Sequence, residues 1–261
     1  MQKRKYHYLI KIQFLGFRYS GWQNQPGQRT VEGMLLKTLK FVMPDRSFKI
    51  LGAGRTDAKV SALDAAFELF LEGEPISDFV EFIKVFNLNL PPDIRAMEME
   101  EAEDGFNIIQ HAKIKEYVYL FSFGEKNHPF SAPFMAQISG PLDIDLMKSA
   151  CTLFVGTHDF TVYTARVQKS TRTCRTILDC EIRENTILTA NFFPERSYML
   201  IVRGEGFMRY QVRMMMGALI QLGRGELTMA DMENSLVNAS TMQLTYVAPG
   251  SGLLLNKLEF R

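Results

Sequence analysis

The sequence has few of the residues that usually mark metal sites and disulfide-bonded proteins. It contains three cysteines and four histidines in 261 residues. The cysteines, Cys151, Cys174 and Cys180, are an odd number, and none stands at zinc-site spacing from a histidine. We therefore expect reduced cysteines in a cytoplasmic protein, and no metal site.

The sequence also lacks long apolar runs, and its net charge is only +1. The longest apolar run, Met214 to Leu222, has about half of the roughly 20 residues that cross a bilayer, so we expect no membrane span. Charged and aromatic residues fill the N-terminus where a signal peptide needs an apolar core. Lys and Arg total 30 against 29 for Asp and Glu, so a nucleic acid would have to be bound by a local basic patch.

The hydrophobic patterns predict an α+β fold. Apolar residues alternate from Tyr8 to Phe14, as in a strand, and Thr30 precedes a helical stripe that Pro44 ends. Further strands are predicted at 48–51, 62–71, 94–99, 113–123, 175–182, 187–193, 197–204 and 254–260. Further helices are predicted at 78–86, 145–154, 209–222 and 230–238.

The chain divides best near its middle. Residues 125–141 contain three prolines and little periodicity, which is typical of a linker. We expect an N-terminal half at 1–124 and a C-terminal half at 142–261. Both halves mix strands and helices in similar proportion, so they could be two α/β units with mainly antiparallel sheets, and they could share one sheet across a pseudo-dyad.

The most unusual segment is GAGRTDAKVSAL, which begins at Gly52 between two predicted strands. Its glycines favour a loop that displays Arg55 and Asp57. A dinucleotide-binding loop would need glycine at Asp57, and a P-loop would need Gly-Lys-Ser/Thr, so neither fits. Two readings stay open: Asp57 caps a turn beside a solvated Arg55, or it is a functional carboxylate.

A second segment, RYQVRMMMGALIQLG, places Arg213 on the apolar face of a predicted helix, in line with Met216 and Ile220. A buried guanidinium needs an anion. Asp57 is one plausible partner, although a structural ion pair elsewhere would satisfy the same requirement. In a third segment, KIKEYVYLF, Tyr117 and Tyr119 share one face of a strand and could either pack in a core or stack on a base.

These three segments, together with YSGWQNQ, NLNLPPDI, GTHDFTVY, TCRTI and GLLLNKLEF in order along the chain, resemble the tRNA pseudouridine synthase A family. GAGRTDAKVSA is similar to the family signature GRTDAGVHA. The resemblance implies two α/β halves related by a pseudo-dyad with a cleft between them. It also implies a homodimer that converts uridine to pseudouridine in tRNA, at positions 38 to 40 of the anticodon stem-loop, without cofactor or metal.

The resemblance also implies roles for individual residues. Asp57 would be the essential carboxylate with Arg55 beside it, Tyr117 the active-site tyrosine, and Arg213 the partner of the carboxylate. Leu253 or Leu255 would form an apolar wall. The carboxylate could add to C1′ of the ribose or remove the C2′ proton, and the sequence does not distinguish these routes.

A basic stretch accompanies these motifs. The segment from Phe160 to Leu178 has four basic residues and no acidic one, and Arg209 adds a fifth. They could line an RNA groove or form a solvated loop. The basic residues of the stretch are Arg166, Lys169, Arg172 and Arg175.

Some residues differ from the family pattern, and these differences bear on which RNA the protein would act on. Lys59 stands where the family usually has glycine, Ser61 where it has histidine, and Ile108 and Ile109 where it commonly has Ala-Arg. The chain thus resembles a divergent member, and another RNA such as ribosomal RNA is the alternative substrate. Two other hypotheses are a non-catalytic RNA-binding module that presents tyrosines, and a glycoside or nucleoside hydrolase, which usually needs two carboxylates.

Overall fold

The computed structural model describes residues 5–165, 171–238 and 240–260. Within these ranges the chain forms ten strands and six α-helices. The strands are β1 (Lys5–Phe14), β2 (Phe48–Gly52), β3 (Ser61–Glu72), β4 (Ile94–Glu101), β5 (Ala112–Gly124), β6 (Ala136–Ser139), β7 (Gly156–Asp159), β8 (Cys174–Glu184), β9 (Tyr198–Gly204) and β10 (Leu253–Phe260). The helices are α1 (Val31–Val42), α2 (Phe79–Asn89), α3 (Ile108–His111), α4 (Ile144–Cys151), α5 (Gln211–Gly223) and α6 (Met229–Asn234).

The chain folds into two compact units. The first contains the residues up to Lys113 together with those from Leu255 onward, and the second contains Ile114–Leu254. The segment 125–141 therefore lies within the second unit, where it contributes β6. The division into two functional halves joined by this segment stays a prediction.

The first unit is built on an antiparallel sheet. Strand β1 lies between β4 and β3, strand β2 also pairs with β3, and β10 is the next neighbour of β3. Helix α1 begins as its sequence predicts, since the side chain of Thr30 accepts a hydrogen bond from the N–H of Gly33 at 3.2 Å. Its buried face carries Val31, Leu35 and Leu39.

The strands of the second unit run in the order β5, β9, β8 and β7, with all three pairs antiparallel. The short strand β6 pairs with β5 in parallel. Helix α5 is almost entirely buried and includes Met214, Met215 and Met216. The strands of both units are thus mainly antiparallel, and the predicted α+β class is confirmed.

One predicted strand is wrong. Residues 187–193 form a loop, because the side chain of Asn185 bonds to the backbone where a ladder would otherwise form. Its Oδ1 accepts the N–H groups of Ile187 at 3.3 Å and Leu188 at 3.0 Å. The four-residue elements α3, β6 and β7 were not predicted, since they are too short for a periodic pattern. In the described part of the chain, every helix is too short or too polar to cross a bilayer.

Candidate active site

The GAGRTDAKVS segment forms the loop between β2 and β3, and the turn after β1 holds its backbone. The N–H of Trp22 donates to the carbonyl of Thr56 at 3.0 Å, and the N–H of Lys59 donates to the carbonyl of Tyr19 at 3.1 Å. These bonds lie on both sides of Asp57 in the sequence. The loop therefore takes its position from a neighbouring stretch of backbone.

Two glycines permit this close approach. Gly21 has a φ of +106°, and a Cβ there would lie 2.7 Å from the carbonyl oxygen of Thr56. A Cβ at Gly16 would lie 1.8 Å from the carbonyl oxygen of Val60. Because any side chain at these positions would displace the loop, the YSGW and GRTD motifs form one structural unit.

Asp57 is half-buried and Arg55 is exposed. The carbonyl of Asp57 accepts a hydrogen bond from the N–H of Val60 at 3.2 Å, which closes the end of the loop through the main chain. Gly54 is also exposed. Solvent therefore reaches this end of the loop beside the main chain of Gly54 and the side chain of Arg55.

The third N-terminal motif, NLNLPPDI, contacts the turn that holds the GRTD loop, through the side chain of Asp93. The hydroxyl of Tyr19 donates to Asp93 Oδ1 at 2.5 Å, and Arg29 Nη2 lies 3.6 Å from the same oxygen. Burial and the adjacent Asp93 raise the pKa of Tyr19 to about 12, so its hydroxyl stays protonated as a donor. The guanidinium of Arg29 also lies 5.1 Å from the centre of the Tyr19 ring.

Two departures from the family pattern have a structural explanation in this loop. Lys59 has a φ of +67°, a left-handed conformation that glycine adopts without strain. The buried hydroxyl of Ser61 accepts a hydrogen bond from the N–H of Gly16 at 2.9 Å. Ser61 thus fixes the loop to the end of β1.

The other departure lies beside the start of the loop. Ile108 is fully buried in a cluster with Leu9 and Ala53, and Ala53 belongs to the GAGRTD segment. Ile109 is 60% exposed. The segment therefore supports the loop through Ile108 and presents an apolar side chain at Ile109.

A buried carboxylate that the sequence did not single out supports the same segment. Glu68 is fully buried, and its Oε2 accepts the N–H of Ile108 at 3.3 Å. His7 Nδ1 lies 3.8 Å from the other oxygen. Burial raises the pKa of Glu68, while the hydrogen bond from Ile108 and the nearby His7 and His111 act in the opposite direction.

In the second unit the two tyrosines of KEYVYLF differ in environment. Tyr117 is half-buried, and its ring meets that of Phe207 edge to face at 5.1 Å. Tyr119 is fully buried, and its hydroxyl donates to the carbonyl of Pro249 at 2.8 Å. Tyr119 is therefore a core residue and cannot stack on a base, which removes the support that it gave to the RNA-binding module hypothesis.

Arg213 is half-buried at the start of α5 and is fixed by its own unit. Its Nε donates to the carbonyl of Ala248 at 2.7 Å, and its guanidinium lies 5.0 Å from the centre of the Tyr210 ring. The exposed Arg209 stacks on the same ring at 4.9 Å and donates to the Tyr210 hydroxyl at 3.2 Å. Tyr210 thus orients two guanidinium groups, from a left-handed conformation with φ of +64°.

The basic stretch is described only in part. Arg166 and Lys169 lie outside the described residues. Arg172 is exposed and Arg175 is half-buried. Burial, with a further contribution from the positive charge of Arg172, lowers the pKa of Arg175, so these two guanidinium groups are close enough to interact.

The remaining predicted residues, Leu253 and Leu255, are both nearly buried on β10. Within 5–165, 171–238 and 240–260, no group of three or more His, Cys, Asp or Glu side chains has an arrangement that could hold a metal ion.

Comparison with known proteins identifies the family of this chain. Residues 150–261 match a family model described as tRNA pseudouridine synthase. Over 258 residues the chain is 32% identical to tRNA pseudouridine synthase A of Thermodesulfovibrio yellowstonii, covering 96% of this chain and 98% of that protein. It is 34% identical to the protein of the same name from Bacillus sp. strain KSM-64, covering 97% and 99%.

A further relative, from Dictyoglomus thermophilum, is 31% identical over 96% of this chain and 98% of its own length. The chain therefore belongs to the tRNA pseudouridine synthase A family. The predicted membership is confirmed, and with it the assignment to the pseudouridine synthases, which are isomerases.

Proposed function

We propose that the protein isomerises uridine to pseudouridine in the anticodon stem-loop of tRNA, at positions 38 to 40, with Asp57 as the catalytic carboxylate. The observation that carries this proposal is the backbone clamp from Trp22 and Tyr19 onto the GRTD loop. The clamp holds a half-buried carboxylate on a rigid loop, which is what a reaction at one sugar carbon requires. The names of the relatives support tRNA as the substrate.

The reaction is balanced without an external reactant. The C1′–N1 bond breaks, the uracil rotates, C1′ joins C5, C5 loses its proton, and N1 gains one. Asp57 would add to C1′ as a nucleophile or remove the proton at C2′, and both routes need an ionised carboxylate. Tyr117 would lie against the uracil and pass on the C5 proton.

Arg213 is proposed as the partner of Asp57, because an opposite charge keeps a carboxylate ionised. The two residues belong to different compact units. The same proposal includes the features of the fold that the family resemblance implies. They are two halves at 1–124 and 142–261, joined by 125–141, with a pseudo-dyad between them and a catalytic cleft whose apolar wall is Leu253 or Leu255.

RNA binding has to offset the cost of flipping the target uridine, on the order of a few kcal/mol. We assign this role to guanidinium and ammonium groups that contact phosphates. The exposed Arg55, Arg172 and Arg209 support the assignment. Arg166 and Lys169 complete the proposed set. The enzyme is further proposed to act as a cytoplasmic homodimer, without cofactor or metal.

The direct experiment is to incubate the purified protein with an unmodified tRNA transcript and with a ribosomal RNA fragment, and to map pseudouridine by carbodiimide chemistry. We expect product in the anticodon arm of the tRNA. Ribosomal RNA is the alternative substrate, which the exposed Ile109 in place of an arginine favours. Product in the ribosomal fragment alone would reject tRNA as substrate and leave the chemistry standing.

A further inference from the structure

Tyr210, immediately before α5, has a backbone conformation that its side chain does not favour. Its φ is +64° and its ψ is 0°, which is the left-handed region. In the described part of the chain, Lys59 is the other residue besides the glycines with a positive φ. Asparagine and glycine adopt this conformation more readily than tyrosine does. The strain at Tyr210 therefore has to be offset by other contacts.

Tyr210 is also a poor residue for the start of a helix. It occupies the N-cap of α5, where serine, threonine, aspartate or asparagine would accept a hydrogen bond from the first turn. The side chain of Tyr210 makes no such bond. Asparagine would suit both the cap and the left-handed backbone, so local structure does not explain a tyrosine here. The explanation has to lie in what the ring contacts.

Hydrogen bonds on either side of Tyr210 hold it in this conformation. The N–H of Gln211 donates to the carbonyl of Met208 at 3.1 Å, and the N–H of Met208 donates to Gln211 Oε1 at 2.9 Å. Gln211 is buried, and Thr164 Oγ1 donates to the carbonyl of Arg209 at 3.0 Å. The surrounding structure thus fixes where the ring lies, which is how strained conformations persist at functional sites.

The Tyr210 ring contacts two guanidinium groups. The Cζ atoms of Arg209 and Arg213 lie 4.9 Å and 5.0 Å from its centre, within the range of cation–π attraction. Arg209 Nη2 also donates to the Tyr210 hydroxyl at 3.2 Å. Because Arg209 is exposed, a phosphate can reach it while it stays on the ring.

The ring adds a constraint on Arg213 that its Nε bond does not provide. That bond, to the Ala248 carbonyl at 2.7 Å, fixes one edge of the guanidinium but lets its plane turn about the hydrogen-bond axis. The aromatic ring 5.0 Å away limits this turn, because a planar guanidinium stacks on an aromatic face. Orientation matters for a group that acts on a carboxylate, since the guanidinium donors form a rigid fork.

We propose that Tyr210 is a positioning residue for the isomerisation, which holds Arg213 in the orientation that its carboxylate partner needs and holds Arg209 ready for an RNA phosphate. This inference rests on the proposed function and gives one side chain a part in both turnover and RNA binding. An asparagine would start α5 better, but it would leave both guanidinium groups without the ring.

Two substitutions at the same position separate the ring from the hydroxyl and the backbone. Tyr210→Asn relieves the strain and supplies a cap, so its urea midpoint should equal or exceed that of the wild type. Its kcat on tRNA should nevertheless fall about 10-fold and its KM rise about threefold. Tyr210→Phe keeps the ring and loses only the bond to Arg209, so it should keep the wild-type kcat and raise KM about twofold.

A double-mutant cycle shows whether Tyr210 acts through Arg213. In single-turnover assays, adding Tyr210→Asn to Arg213→Met should change turnover less than about twofold, because the group to be positioned is already gone. Adding it to Arg209→Met should still lower turnover about 10-fold. A full 10-fold loss in the Arg213→Met background would show that Tyr210 acts by another route, and the proposal would be wrong.

Two other outcomes would overturn the proposal. A loss of stability in Tyr210→Asn, or a kcat equal to that of the wild type, would make Tyr210 a packing residue and leave the proposed function standing. A wild type that forms no pseudouridine in either RNA would reject the proposed function, and this inference with it.

A spectroscopic measurement tests the contact without the reaction. The Nε–H resonance of Arg213 is assigned by its loss in Arg213→Met. We expect it to carry a ring-current shift in the wild type and in Tyr210→Phe, and to lose that shift in Tyr210→Asn. The same resonance position in all three proteins would contradict the positioning of Arg213 by the ring.

Discussion

Arg213 and Ala248 exchange two hydrogen bonds: Arg213 Nε donates to the Ala248 carbonyl at 2.7 Å, and the Ala248 N–H donates to the Arg213 carbonyl at 3.1 Å. The second bond uses the main chain, so only the first depends on the side chain. The guanidinium is therefore held at its Nε edge by its own unit. Its position is set before any substrate binds, which suits the electrostatic role proposed for it.

Arg213→Met should lower both stability and turnover. The variant leaves the Ala248 carbonyl without its side-chain donor, which should reduce the free energy of unfolding by about 1–2 kcal/mol. It also removes the proposed partner of Asp57, so turnover should fall by about 100-fold or more at saturating tRNA. Urea unfolding and single-turnover assays measure the two effects. Arg209→Met, which removes an exposed guanidinium from the same Tyr210 ring, is the control and should keep its stability.

Lys59→Gly should cost less stability than the same substitution at its neighbour. Lys59 has a φ of +67°, where a side chain is strained by about 1 kcal/mol. The lost contact of its ammonium with the Phe17 ring, 5.4 Å away, and the greater freedom of glycine in the unfolded chain each offset about half of that gain, so the net change should be close to zero. Ala58→Gly, at the preceding exposed position without a positive φ, has only the unfolded-chain cost and should destabilise by about 0.5–1 kcal/mol. An equal loss of stability for both substitutions in urea unfolding would contradict the strain at Lys59.

The tyrosine pair should separate catalysis from packing. Tyr117→Phe removes the hydroxyl assigned to proton transfer, so turnover should fall by about 10²-fold with little change in stability. Tyr119→Phe leaves the Pro249 carbonyl unpaired and should cost about 1–2 kcal/mol of stability. At a temperature where Tyr119→Phe is fully folded, its turnover should match the wild type. Equal loss of turnover in both variants would show that the two hydroxyls have been assigned the wrong roles.

Glu68 should make stability depend on pH. Its folded pKa is raised because the carboxyl is buried. The folded state then binds the proton more tightly than the unfolded chain, so this contribution to stability is fully present below the ordinary carboxyl pKa and is lost as pH rises through the folded pKa. Glu68→Gln should remove that dependence. Because His7 and His111 are kept in both proteins, the difference in unfolding free energy between variant and wild type, followed against pH, isolates Glu68. A constant difference would contradict a raised pKa.

The sequence predicted the structure correctly where that structure depends on residues close together along the chain. The start of α1 was predicted because Thr30 caps its own helix within one turn. The strand at Tyr8 was predicted because the pattern of burial follows the pleat. The loop at 187–193 was mispredicted because its apolar residues are typical of a strand, while Asn185 redirects the backbone.

The candidate site was only partly predictable, because some of its contacts join residues that are far apart in the sequence. The motifs marked the GRTD loop, but the bond from Gly16 to Ser61 joins residues 45 apart, and that between Tyr19 and Asp93 spans 74. No local pattern encodes such contacts. Tyr210 was missed although it stands in a quoted motif, because a left-handed conformation at a residue other than glycine has no local sequence signal.

The central claim is that Asp57 carries the isomerisation, and one measurement addresses it most directly. Asp57→Asn keeps the shape of the side chain and removes its charge, so it is compared with the wild type on an unmodified tRNA transcript. We expect the variant to bind tRNA with an affinity within about twofold of the wild type and to form no pseudouridine at positions 38 to 40. Formation of pseudouridine there by Asp57→Asn at the wild-type rate would contradict the assignment.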